Sequence, residues 1–179
     1  MGQNMVGYFK EKNDQIMRIL TMVYTNQDLA RFIYYAGEDN PLSVDLDDVT
    51  VPQLRGMGEY KKLVFPNLKI PNTETDGKIL LTITFGDGKN GSVNSLYRAD
   101  SLKFAIMVHN DATEYEYGLR VFQIMGLIDS MFNNIRIKEI SSQKIMLGGY
   151  KEFAFSDTYS GYVVTYRVGN TSNSGAVYD

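Results

Sequence analysis

The sequence contains no cysteine. Disulfides, thiolate zinc sites and cysteine nucleophiles are therefore excluded, which fits a reducing compartment or a particle assembled in one. There is one histidine, His109, so any histidine-dependent triad would rest on it alone. No G-x-S-x-G elbow, P-loop or internal repeat occurs. No apolar run approaches the roughly 20 residues that a membrane span needs. The start, MGQNMVGYFK, lacks the apolar core of a signal peptide. Gly2 invites a myristoylation reading, but Val6 occupies the position that favours Ser or Thr. The formal charge of -3 gives no broad nucleic-acid footprint, although it is compatible with a local basic patch. Tryptophan is absent, whereas tyrosine is plentiful at 13 residues. Tyrosine suits both protein contacts and strands.

What is present is enough apolar material for a core, at 44% of residues. The expected organisation is one domain over residues 1–168, with an extended surface segment at 38–60 and a small, polar, mobile tail at 169–179. The longest helical pattern of the second half is EYGLRVFQIMGLIDSMFN, residues 116–133. Val121, Phe122, Met125, Ile128 and Phe132 recur on one wide apolar face, with Arg120, Gln123, Asp129 and Ser130 on the polar side. Leu119, Gly126 and Leu127 interrupt that polar side, so a second contact surface is expected. Phe122 and Ile128 are therefore read as core residues and Arg120 as a solvent residue.

Near the start, Ile16, Ile19, Leu20 and Val23 mark a helix over 11–24. Thr25, with Asp28 three residues on, reads as the N-cap of a second short helix. Leu29, Phe32, Ile33 and Ala36 point that helix inward, and Gly37 ends it. A single bent helix is the alternative. From 38 to 60 no period holds; the segment is acidic and broken by Pro41, Pro52, Gly56 and Gly58. Strand signals follow: LVFPNLKI, an edge strand or bulge because of Pro66; KILLTITF over 78–85; and LKFAIMVH over 102–109. The last two are separated by a polar, glycine-rich loop, 86–101, too long for a tight hairpin. After the central helix come 143–155, where Gly148-Gly149 marks a bulge or turn, and the strand SGYVVTYRV over 160–168.

Chemical signals are few. Gly86 to Gly91 spells G-x-G-x-x-G after a strand, but a dinucleotide site needs a helix to open there, and the next pattern is a strand. A loop that needs positive φ is the preferred reading. His109, with Asn110, Asp111 and Glu114, is compatible with a one-histidine metal site, yet it lacks a second spaced cluster and reads better as a strand end in a polar turn. Glu59-Tyr60-Lys61 resembles half of a metal-dependent nuclease site, for which Asp45, Asp47 and Asp48 would supply carboxylates. A glycine-flanked loop is a poor rigid platform for it, and solvated charges before an edge strand are the preferred reading. Asn170-Thr171-Ser172 fits a glycosylation pattern, with nothing to indicate secretion.

The order of elements is more informative than the chemistry. RILTMVYTNQDLARFIYY, the strands KILLTITF and LKFAIMVH, the helix EYGLRVFQIMGLIDSMF and the strand SGYVVTYRV follow one another in a plan that resembles tail-terminator (tail-completion) proteins of long-tailed bacteriophages and related neck proteins. The resemblance covers most of residues 11–168 and rests on topology. It implies a virion structural protein without catalytic residues, cofactor or metal. Such a protein forms a ring, commonly hexameric, at the head-proximal end of the tail tube. Its implied partners are itself, the tail tube protein and the head–tail connector or stopper proteins, with DNA only passing through the lumen and no membrane contact. A connector or stopper is the nearest alternative, and a small metal-dependent nuclease the alternative of another class.

The fold class expected is α+β: a mixed or antiparallel sheet of about five strands, the central helix on one face and the N-terminal helices beside it. Asp87, Lys89 and Asn90 in the glycine-rich loop, and Asp45, Asp47 and Asp48 in the acidic segment, are the expected interface residues. The core is expected to need neither segment.

Overall fold

The computed structural model describes residues 8–67, 78–86, 89–90 and 97–171. Three helices come first: α1 (Tyr8–Thr25), α2 (Gln27–Tyr34) and the one-turn α3 (Val51–Arg55). Strands β1 (Val64–Phe65), β2 (Ile79–Phe85), β3 (Lys89–Asn90) and β4 (Tyr97–His109) follow, then a 3-10 turn at Asn110–Ala112 and a small hairpin of β5 (Glu114–Tyr115) and β6 (Gly118–Leu119). Helix α4 (Arg120–Phe132) precedes the final strands β7 (Met146–Ala154) and β8 (Tyr159–Thr171).

The main sheet runs β1-β2-β4-β8-β7, with β3 paired to β4 beyond the end of β2. Only β1 with β2 is parallel, so the sheet is mixed and the class is α+β. Register sorts the side chains into two faces. Leu81, Ile83 and Phe85 of β2 align with Ile106, Phe104 and Leu102 of β4, and these with Tyr162, Val164 and Tyr166 of β8. This face receives the helices. Phe132 of α4 lies 5.1 Å from Phe104, ring to ring, and Lys12 of α1 sits 4.6 Å over the Phe85 ring while pairing with buried Asp100. Side chains such as Phe104, Phe132 and Ile128 are fully buried, each stabilising the fold by ~1.5–3 kcal/mol.

Helix α4 is turned from the expected orientation. It starts at Arg120, because residues 116–119 are taken up by the β5–β6 hairpin. Its inward stripe is Val121, Ile124, Ile128 and Phe132. Phe122 is 46% exposed and Arg120 only 2%, the reverse of the expected assignment. The cause is Ile124: it centres the apolar stripe one position away from Phe122. The buried guanidinium is tolerated because main-chain carbonyls receive it. Nε donates to Ala112 O (3.1 Å), and Nη2 to Glu38 O (2.9 Å) and Glu114 O (3.3 Å).

Smaller departures share a local logic. Asn26, rather than Thr25, caps α2, its Oδ1 accepting from Leu29 N at 3.0 Å. Thr25 ends α1 by donating its hydroxyl to Thr21 O (2.9 Å). Helix α2 buries Leu29, Phe32 and Ile33 as expected but ends at Tyr34, ahead of Gly37. The strand at Pro66 is only two residues long and lies at the sheet edge. Gly148-Gly149 forms a bulge, with a register shift between Leu147 and Gly149. Residues 169–171, expected in the tail, extend β8; 172–179 lie outside the described residues. The core does draw on the 38–60 segment, since Val49 and Leu54 are buried. Gln27 fastens it through both Val49 main-chain groups (3.0 and 2.9 Å).

Candidate interaction surface

The residues singled out for metal or nucleotide chemistry do not gather into one site among the described residues. His109 ends β4, accepts at Nδ1 from Asp111 N (3.2 Å) and packs edge-on against Tyr159 (5.0 Å). It is therefore a turn cap. Glu59 and Lys61 line a hollow with Tyr34, Tyr60 and Lys78, whereas Asp48 pairs with Arg31 (3.1 Å) and the Asp47 carbonyl accepts from the Tyr35 hydroxyl (3.1 Å). Among the described residues, no three histidines or carboxylates are grouped to hold a metal ion. Within the glycine-rich motif, Lys89 and Asn90 form β3 rather than a helix start; residues 87–88 and 91–96 lie outside the described residues. Gly86 is not held at positive φ; a side chain there would meet the side-chain ends of Ser101 and Lys103, which would have to move aside. Lys89 and Asn90 pair with Ala99 and Arg98 across β3–β4. Asp87 lies outside the described residues.

The residues that do come together form a surface of the kind used for protein contact. Helix α4 covers β4 and β8 but leaves the face of β7 beside it open. Phe122 of α4 meets Tyr162 of β8 at 5.3 Å, and Tyr162 meets Tyr150 of β7 at 6.2 Å. Tyr150 is 64% exposed. Below this aromatic ridge runs a groove of about 180 Å³ between Met125, Gly126 and Asp129 of α4 and Leu147 and Tyr150 of β7. It stays open because nothing lies within 4 Å of where a Gly126 side chain would be. At its base the Tyr166 hydroxyl donates to Asp129 Oδ1 (3.1 Å). Burial first, then the Asp129 charge and that bond, hold the Tyr166 phenol far above its ordinary range.

Strand β7 is also the sheet edge. Phe155 N donates to Tyr159 O (2.9 Å), so by antiparallel alternation Phe153, Lys151 and Gly149 bond inward to β8. Tyr150, Glu152 and Ala154 therefore turn their main-chain groups outward. Asn133 covers one end, its Oδ1 accepting from Leu147 N (3.0 Å). The edge strand expected at Pro66 is β1, at one side of the sheet; the second edge, at β7, was not anticipated, and the Tyr150–Tyr162–Phe122 ridge depends on cross-strand register, for which alternation in GGYKEF is a weak signal.

Arg120 fixes the start of α4, two residues before Phe122. Burial lowers its pKa, opposed by Tyr115 and Asp39, yet a guanidinium stays charged. Its Cζ lies 5.5 Å from the Tyr115 ring centroid, and Tyr115 in turn packs edge-on to Phe32 of α2 (5.4 Å) and Tyr117 (6.0 Å). The hairpin, α2 and the entrance of α4 are thus tied at one point.

Residues 26–168 match the family model YomW, which describes a phage-derived, Bacillus SPbeta-like family. No curated protein matches the chain.

Proposed function

The chain belongs to the YomW family and is of phage origin, and from that premise we propose that it is a virion structural protein, a ring-forming component of the neck or head-proximal tail end. The observation that carries this reading is the β7 edge, unpaired among the described residues, beside the Phe122–Tyr162–Tyr150 ridge. Aromatic side chains next to unpaired strand groups are what protein–protein contacts use, and an edge of this length left open invites pairing. The resemblance of the element order to tail terminators supports a place at the head-proximal tail end. In that place the protein caps the tail tube, meets a connector or stopper on its other side, and lets DNA pass through the ring without reading it.

The same surfaces serve a connector or stopper, and position in the particle separates the two. A phage deleted for this gene should accumulate filled heads and unjoined tails, with tails of uncontrolled length if the protein is a terminator and of normal length if it is a connector or stopper. Normal, infectious particles from the deletion would contradict a neck role. On this reading the protein catalyses no reaction. The nuclease alternative gains no support from the geometry, since Glu59 and the aspartates are not grouped around a metal position among the described residues.

A further inference from the structure

The face of the sheet turned away from the helices carries charge of one sign. By register, the side chains there include Lys103 of β4, Val163, Thr165 and Arg167 of β8, and Lys151 and Phe153 of β7. Among the described residues on this face of β4, β8 and β7, no carboxylate appears; Glu152, at the rim, aligns with Tyr162 and belongs to the helix face. Lys103, Lys151, Phe153, Val163 and Thr165 surround a hollow of about 530 Å³, with Tyr150 and Glu152 also lining it from the strand edge, so that two lysines outnumber one carboxylate. The hollow exists because Gly148-Gly149 forms its wall. Gly149 has φ +140°, which only glycine adopts readily, and nothing lies within 4 Å of where its side chain would stand.

The helix layer carries the complement. Loop 42–48 presents Val44 at 95% exposure, with Asp45 and Asp47 beside it, also exposed. The loop is held in shape from below. Arg31 donates to Ser43 O (3.0 Å) and Leu46 O (2.7 Å), and Ser43 Oγ accepts from Asp45 N (3.3 Å). A rigid loop with an apolar tip between two carboxylates loses little entropy when it docks.

We propose that loop 42–48 of one copy of this chain docks into the Lys103–Lys151 hollow of a second copy, Val44 against Val163 and Phe153, and Asp45 and Asp47 against the lysines. Loop and hollow lie on opposite layers, so the contact is heterologous and propagates from copy to copy, closing into a ring when the rotation permits. The inference deepens the ring reading by naming a subunit contact. Exposed ion pairs contribute little affinity each; here they set register and partner choice, and Val44 supplies the apolar anchor.

The test uses the full chain and two charge reversals, Asp45→Lys with Asp47→Lys, and Lys103→Glu with Lys151→Glu. Asp45, Asp47 and Lys151 are exposed and Lys103 is half-buried, so the melt of each variant is recorded beside its association, and Lys151→Glu alone replaces the double reversal if Lys103→Glu lowers the melting temperature. Each reversal alone should weaken self-association on the order of a hundredfold. Mixing the two variants, or combining both reversals in one chain, should restore it. Val44→Ser should weaken it about tenfold. In the wild type, carbodiimide should cross-link loop 42–48 to Lys103 or Lys151 between copies. Wild-type rings that persist in both single reversals would overturn this contact and leave the ring reading standing. Association that follows the charge pattern but ends in dimers or open chains would support the contact and overturn the ring. A wild type that stays monomeric would overturn both.

Discussion

The Arg120 guanidinium donates to the carbonyl of Glu38, 82 residues earlier in the chain, at 2.9 Å. It is the only charged side chain among the large fully buried ones of the described residues. Its acceptors are carbonyls, so the charge is solvated by the main chain of two separate segments, the turn after α2 at Glu38 and the 112–114 stretch leading into the β5–β6 hairpin. Nη1 is buried without a hydrogen-bond partner among the described residues, which makes the site costly to assemble and costly to disturb. Arg120→Met should remove three bonds and strand their carbonyls, lowering stability by ~2–4 kcal/mol. Chemical denaturation measures this; a loss below about 1 kcal/mol would show that the clamp is dispensable.

Phe122→Ala should cost little in the isolated subunit, under ~1 kcal/mol, because the ring is half exposed and touches mainly Tyr162. Ile128→Ala, in the inward stripe, should cost ~2–5 kcal/mol. Comparing the two melts fixes the rotation of α4. If Phe122 proved the more sensitive, the helix would be seated one position differently.

Tyr166→Phe should lower stability by about 1–2 kcal/mol through loss of the bond to Asp129. The aromatic packing against Phe104 and Phe132 stays, so the variant should fold and keep its near-ultraviolet signature. An unchanged melt would mean that Asp129 is satisfied by solvent in both states.

Stability should also fall in alkali. Burial holds the phenols of Tyr166 and Tyr24 above the ordinary value of 10.0, for Tyr24 against the pull of Arg55. A raised folded-state pKa gives stability that is fully present below the unfolded value and is lost as pH climbs toward the folded one. Above pH 10 the unfolded chain therefore releases protons that the native state retains, and each such phenol removes about 1.4 kcal/mol per pH unit. Phenolate absorbance should rise for these two tyrosines only together with the loss of structure. Their free titration in the folded protein would contradict the burial.

The strands β2, β4 and β8 were legible because ILLTITF, LKFAIMVH and SGYVVTYRV are dense in β-branched and aromatic residues. Helix α2 was legible because its apolar residues occupy one side only. Helix α4 was seen but turned, since Val121, Phe122, Ile124, Met125, Leu127 and Ile128 admit two overlapping stripes, and nothing local says that Arg120 will find three carbonyls. Those carbonyls belong to Glu38, Ala112 and Glu114, so the burial is a tertiary fact. The 38–60 segment looked detachable because Val49 and Leu54 are isolated apolar residues in an acidic stretch. The contact surface was hidden for the same reason as Arg120: Tyr150 meets Tyr162, and Gly149 meets Thr165, only through the β7–β8 register, which a bulge has shifted by one residue.

The central claim, assembly into a ring, is tested most directly by electron microscopy of the purified full-length chain, with its mass measured under native conditions. Closed rings of one subunit number, with a central opening wide enough for a DNA duplex, are the predicted result. A monomer at every concentration reached, or open filaments that never close, would contradict it.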